Sequence, residues 1–165
     1  MKKFISLENV TYKSTDIYSN NSATLLENIN FFVNQGEFIS IMGPNGCGKS
    51  TLARLLNGTL IPTSGEVYID SLNTKNNISE VKKKVGMVFQ NPDNQIISST
   101  VEEEIAFGLE NLCVPAKEIG SIIKNVLHEV GLDGFEKKSI NSLSGGQKQK
   151  LIIAGVLAMK PDIMV

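Results

Sequence analysis

The chain has 165 residues, 41% hydrophobic and 20% charged, which suits one domain with room for an inserted subdomain and excludes global disorder. Its formal net charge of −1 argues against a broad electrostatic grip on nucleic acid, so no nucleic-acid partner is expected. The longest apolar run, Leu151 to Met159, has nine residues and is too short to cross a bilayer.

With no run long enough to span a bilayer, any membrane role is expected to come through a partner, and the N-terminal Met1-Lys2-Lys3-Phe4-Ile5 lacks a signal-peptide core. Phe4 to Tyr12 alternates apolar and polar residues and predicts a half-exposed strand. Asn20-Asn21-Ser22 predicts a loop. Ile29–Val33 and Phe38–Met42 read as strands joined by a turn at Asn34-Gln35-Gly36-Glu37. The second of these runs straight into a glycine-rich stretch. A helix is expected from Lys49 to Leu56, with Asn57-Gly58 as its stop. Thr63-Ser64-Gly65 predicts a turn, Glu66–Asp70 a short strand and Val85–Phe89 a continuous apolar strand.

The character then becomes helical. Val101–Leu112 and Ala116–Val130 read as helices, the second with Ile119, Ile122, Ile123, Val126, Leu127 and Val130 on one stripe and Gly131 closing it. A further helix carries Leu151–Met159, and Asp162–Val165 reads as a strand. Strands, then helices, then a strand again suggest a helical insertion in an α/β core. Because folded domains rarely end on an unfinished apolar strand, a sequence cut short at Val165 is the expectation.

Gly43-Pro44-Asn45-Gly46-Cys47-Gly48-Lys49-Ser50 fits G-x-x-x-x-G-K-[ST], between a predicted strand and a predicted helix. A triphosphate is a dense anion and needs many donors in little space. Glycines at 43, 46 and 48 let the backbone turn tightly and approach phosphate without Cβ clashes. The helix start adds its positive dipole end. Lys49 is a point charge for the outer phosphates, Ser50 a hydroxyl small enough for Mg²⁺, and Thr51 a contact for the α-phosphate. An ordinary glycine-rich turn is the plain alternative, and the strand–loop–helix context weighs against it.

Leu143-Ser144-Gly145-Gly146-Gln147 has two readings. Ser with Gln three residues later is a capping box that opens a helix. Capping does not explain Gly145 and Gly146, each of which costs a helix roughly 1 kcal/mol relative to Ala. A helix start without side chains serves a phosphate that must touch the N–H groups directly.

With both motifs in view, the chain resembles the ATP-binding-cassette (ABC) ATPases over nearly all of its length. The resemblance implies an α/β fold: a P-loop NTPase of ABC type with a mainly parallel sheet core, an N-terminal antiparallel β part and an inserted α-helical subdomain. It implies a single, incomplete domain, with residues 1–91 and 151–165 forming the core and 92–150 the helical subdomain. Carried over by motif, Tyr12 matches the aromatic that stacks on adenine, and Gly43, Pro44, Asn45, Gly46, Cys47, Gly48, Lys49, Ser50 and Thr51 match Walker A. Gln90 matches the Q-loop glutamine, a Mg²⁺ ligand with Ser50 and a catalytic sensor of the γ-phosphate. Ser144, Gly145, Gly146 and Gln147 match the signature that completes the ATP site of a second ABC ATPase subunit. ATP and Mg²⁺ are the implied cofactors. The family's hydrolytic Glu, which follows the Walker B Asp, would fall past Val165, as would the D-loop and the switch histidine.

Phe89-Gln90-Asn91-Pro92-Asp93-Asn94-Gln95, followed by Thr100 to Asn111, is similar to the ATPases of energy-coupling factor (ECF) transporters. These import vitamins and metal ions such as cobalt and nickel. The likeness implies a transmembrane energy-coupling partner, a substrate-binding membrane subunit and a place at the cytoplasmic face of the membrane. The Glu102-Glu103-Glu104 run cannot converge on one ion, because consecutive helix positions point 100° apart. It is read as a charged first turn. His128, beside Lys124 on the polar side of its helix, is not the switch histidine. Cys47 and Cys113 are too few for a disulfide framework and fit a reducing compartment. The N-x-[ST] triplets at Asn20, Asn57 and Asn77 are read as chance. A non-transport ABC ATPase and a non-hydrolysing ATP-binding fragment stand as alternatives. A GTPase is disfavoured by the lack of an N-K-x-D guanine reader.

Overall fold

The computed structural model describes residues 3–15 and 22–165. Met1, Lys2 and the loop expected at Asn20-Asn21 lie outside the described residues, and Ser22 already belongs to a strand. The chain divides into two compact units, 1–85 and 86–165.

The first unit is built on a four-stranded antiparallel sheet in the order β2-β1-β3-β4, with β1 Lys3–Thr15, β2 Ser22–Asn34, β3 Ser64–Ile69 and β4 Leu72–Asn73. It is the antiparallel part that the resemblance implies, with longer strands than the patterning predicts. On β1 the buried positions run Ile5, Leu7 and then Val10, a change of phase that strict alternation forbids. The change occurs at Asn9, whose φ of 51° marks a bulge. Asn28 on β2 has φ 47°, and the register between the two strands shifts here. Side chains brace the bulge: Asn9 N–H donates to Asn30 Oδ1 at 2.8 Å, and Asn28 N–H to Thr11 Oγ1 at 3.1 Å. Gly65 passes so close that a Cβ would stand 2.2 Å from the Asn9 carbonyl oxygen, and only glycine fits.

Helix α1, Lys49–Leu56, buries Leu52, Leu55 and Leu56. Asn57 and Gly58 end it as expected, their N–H groups donating to the Ala53 and Leu55 carbonyls. A second helix, α2 Ile78–Lys84, was not legible: Val81 is its one buried residue, and a single apolar position makes no stripe.

The strand predicted at Phe38–Met42 does not form. Phe38 is 97% and Met42 86% exposed, and no strand pairs with this segment among the described residues. Apolar density marks a segment that can be buried in a sheet. Neighbouring strands are what hold it there, because its N–H and C=O groups need partners.

The second unit holds three helices, α3 Val101–Asn111, α4 Ala116–Glu129 and α5 Gly145–Ala158. Their core is Val101, Ile105, Leu109, Ile123, Val126, Leu127, Leu151, Ala154 and Ala158, joined by Leu132, Ile140 and Leu143 from the connections. Ile119, Ile122 and Val130 pack against it, which completes the stripe read from the sequence. Gly131, φ 66°, follows α4 as its expected stop. β5, Val85–Gly86, and β6, Ile163–Met164, form a second, two-stranded sheet. Within the second unit Val165 N–H donates to the Gly86 carbonyl at 2.9 Å, and its carbonyl accepts from Val88 N–H at 2.8 Å. One residue bonding both i and i+2 is the parallel pattern. Residues 151–165, expected with the core, pack within this unit, through Leu151, Ala154 and Ala158.

Candidate functional site

The phosphate-loop candidates lie in the first unit. Gly46 and Gly48 have φ of 83° and 93°, which only glycine adopts freely. At Gly48 a Cβ would also lie 2.8 Å from both the Leu25 carbonyl oxygen and a Leu26 methyl. Gly48 is the N-cap of α1 and brings no capping side chain. The first N–H groups of a helix have no intrahelical acceptor, so those of Lys49, Ser50 and Thr51 are the donors an anion would meet. Pro44 to Cys47 forms a turn closed by Cys47 N–H to the Pro44 carbonyl at 3.4 Å.

Lys49 arches back over this turn. Its Nζ donates to the Gly43 and Pro44 carbonyls, both at 2.8 Å, and stands 3.8 Å from Cys47 Sγ. A single cation held by two carbonyls of the loop is poised to be drawn off by phosphate oxygens, which bind an ammonium more strongly. Ser50 presents an exposed hydroxyl in the first helical turn, a hard oxygen of the kind Mg²⁺ accepts. Loop and helix start together fit a polyphosphate and its metal. Tyr12 is half-buried on β1 and pairs across the ladder with Leu26, the residue that abuts Gly48. It therefore stands directly across the ladder from the residue against the phosphate loop.

Gln90 and the Ser144–Gln147 run lie in the second unit. The capping box forms as read: Gln147 N–H donates to Ser144 Oγ at 3.3 Å, and Ser144 N–H to Gln147 Oε1 at 2.9 Å. Gly145 and Gly146 are exposed, and nothing lies within 4 Å of a Cβ built on either. Neither has a positive φ. Among the described residues, no contact or backbone demand explains two glycines here.

The glutamate run does three separate jobs. Glu102 pairs with Lys137. Glu103 closes the capping box of α3 with Thr100, and Ser99 Oγ donates to it at 2.9 Å. That Ser99 bond, then those of Thr100, holds the Glu103 carboxyl below its ordinary range. Glu104 accepts the N–H groups of Ile97 and Ser98 at 3.0 and 2.9 Å. His128 meets Asp133 at 2.8 Å and lowers the Asp133 carboxyl. Asp93 and Gln95, read from the sequence only as part of the stretch resembling the ECF ATPases, and Lys148, given no role there, hold the segment after Gln90 through side-chain bonds. No local pattern announces these bonds, the Asp93–Lys148 pair least of all, since it joins residues 55 positions apart. Among the described residues, no cluster of three His, Cys, Asp or Glu could hold a metal ion, and no helix is long and apolar enough to cross a membrane.

The family model described as ABC transporter matches residues 26–165. The chain is 49% identical over 163 residues to a protein of Clostridium acetobutylicum provisionally named an ABC transporter ATP-binding protein, covering 98% of this chain and 57% of that one. It is 44% identical over 166 residues to the energy-coupling factor transporter ATP-binding protein EcfA1 of Streptococcus agalactiae, covering 100% of this chain and 58% of that protein. Among solved structures, CbiO1 of Clostridium perfringens, part of the ABC transporter complex cbiONQ, superposes with a TM-score of 0.83 at 35% identity, covering 99% of this chain and 64% of that one. The ATP-binding cassette MJ0796, as a post-hydrolysis dimer bound to ADP and Pi, gives a TM-score of 0.85 at 33% identity, covering 97% and 72%. The chain thus spans a little under three-fifths of the curated relatives it matches. It belongs to the ABC transporter family, as an ATP-binding domain.

Proposed function

We propose that this ABC-family chain serves as the ATP-binding and ATP-hydrolysing energy-coupling subunit of a membrane importer, at the cytoplasmic face of the membrane. The observation that carries this reading is the bare glycine start of α5, which nothing among the described residues requires. A surface shaped for a phosphate held elsewhere implies a second ATPase subunit, identical or related. The likeness to EcfA1 and CbiO1 adds the transmembrane energy-coupling subunit and a separate membrane subunit that selects the solute. That solute is a vitamin or a transition-metal ion such as cobalt.

In this reading Gly43–Gly48 and the first N–H groups of α1 wrap the β- and γ-phosphates. Lys49 leaves the Gly43 and Pro44 carbonyls for the outer phosphates, and Thr51 meets the α-phosphate. Tyr12 offers its ring to adenine. Ser50 and Gln90 would hold Mg²⁺, which neutralises charge developing on the phosphates. Ser144, Gly145 and Gly146 present donors to the ATP of the partner subunit, and closure of the pair moves the membrane subunit. No residue of this sequence is assigned as the carboxylate that orients water.

The test is Ser144→Arg in the native complex purified from its host membrane. Nucleotide binding through Lys49 should persist while dimer-dependent turnover is lost. Normal turnover would refute the signature assignment, and recovery of the ATPase without any membrane protein would favour a non-transport family member.

A further inference from the structure

The loop after Gln90 is held by side chains where a sheet would use strand pairing. The Gln95 amide acts as a surrogate strand: its Oε1 accepts Phe89 N–H at 2.9 Å and its Nε2 donates to the Met87 carbonyl at 3.0 Å. One amide thereby closes residues 89–95 into a ring with Gln90 as its first free member. Within the ring, Asn91 Oδ1 accepts Asp93 N–H at 3.0 Å, and Pro92 opens a tight 3₁₀ turn over Pro92–Asn94. These bonds fix where the Asp93 carboxylate stands.

Asp93 Oδ1 accepts from Lys148 Nζ at 2.7 Å. Lys148 sits in the first turn of α5, directly after Gln147, and its own N–H donates to the Ser144 carbonyl at 2.9 Å. The two residues are 55 positions apart in sequence. The lysine side chain is 20% exposed and the aspartate 63%. Packing therefore fixes the cation on the helix, and the anion rides on the loop.

We propose that Asp93 and Lys148 are a positioning pair, a strut that makes the Gln90 loop and α5 move as one piece. What Gln90 senses at its own nucleotide then sets the attitude of Ser144–Gln147 toward the nucleotide of the partner subunit. This rests on the roles proposed above for Gln90 and Ser144–Gln147.

In the native complex, Asp93→Asn and Lys148→Met should each lower the ATP turnover number about two- to five-fold, the size expected for a partly exposed ion pair, with KM and nucleotide affinity unchanged. The exchange Asp93→Lys with Lys148→Asp restores the pair with its sign reversed and should recover turnover. Unchanged turnover in both single variants overturns the strut. So does an exchange variant as slow as the singles, or a loss that appears in KM alone. Asp93→Glu, which keeps the charge, should stay near wild type, and a loss there as large as in Asp93→Asn also counts against it. Ser144→Arg in the same preparation separates the two levels. If it turns over normally, the signature reading has failed. If it is inactive while both single variants are normal, the strut alone falls.

Discussion

Replacing Gly145 and Gly146 together by alanine should make the protein more stable and less active. Both glycines occupy the first turn of α5 with no positive φ, and a Cβ at either finds open space within 4 Å. Alanine can take each position without strain, so the effect falls mainly on the unfolded chain, which loses freedom. At such sites the gain is about 0.4–1 kcal/mol per substitution, or roughly 1–2 kcal/mol for the pair. For a chain of this size 1 kcal/mol moves the melting midpoint by about 2–4 °C, so the pair should melt a few degrees higher. The two methyls would cover the face on which the helix offers its N–H groups. If a phosphate of the partner subunit must reach them, turnover should fall about 10²-fold, the scale of losing one preorganised donor. Thermal denaturation and phosphate release in the native complex read the two effects separately. A lower melting midpoint would mean that the glycines serve the fold, and unchanged turnover would mean that nothing approaches this helix start. Either result refutes the reasoning.

Two other predictions are more local. Lys49→Met removes a cation whose bonds to the Gly43 and Pro44 carbonyls lie at the exposed surface, so the unfolding midpoint should change by less than about 0.5 kcal/mol. Affinity for a fluorescent ATP analogue should drop at least about tenfold, and an unchanged affinity would remove Lys49 from the site. Glu103 is held below its ordinary pKa by Ser99 and then Thr100, so its folded pKa lies under its unfolded one. A depressed carboxylate contributes stability above the unfolded value and loses it as pH falls through the folded one. The difference in urea midpoint between wild type and Glu103→Gln should therefore shrink as pH is lowered from about 5 to 3. A difference constant with pH would mean that the charge of the cap contributes nothing.

Much of this was legible from residues alone, where the cause is local. The α5 capping box needs only Ser144 and Gln147 at their spacing, and the α4 stripe needs only a period of 3.6. Gly48 at a helix start announced itself by chain context. The failures share another cause. Phe38–Met42 reads as a strand because strand-like composition is local, whereas the pairing that makes a strand is not. β2 begins at Ser22, well before the apolar Ile29–Val33, because β1 supplies a ladder for its mixed first half, Ser22–Asn28. Asp93 and Lys148 carry no mark of each other across 55 positions. The glutamate run reads as one feature and is three, because each carboxylate turns to a different partner.

The glycine-bearing starts of α1 and α5 differ in how they are capped, and the difference is itself chemical. α1 begins at Gly48, which brings no capping side chain, so its first donors are left to whatever anion approaches. α5 begins at Ser144, whose Oγ accepts from Gln147 N–H and so keeps its own proton to donate outward. Gln147 is consumed by the Ser144 N–H, which leaves the Gly145 and Gly146 N–H groups beside that hydroxyl. Stability alone does not select serine here, because aspartate caps a helix as well. Aspartate can only accept, and its charge opposes a phosphate. Ser144→Asp should therefore match or exceed wild type in urea denaturation and be inactive in turnover, whereas Ser144→Thr, which keeps both cap and donor, should remain active. A stable, active aspartate variant would show that no anion meets this hydroxyl, and α5 would then be a capped helix and nothing more.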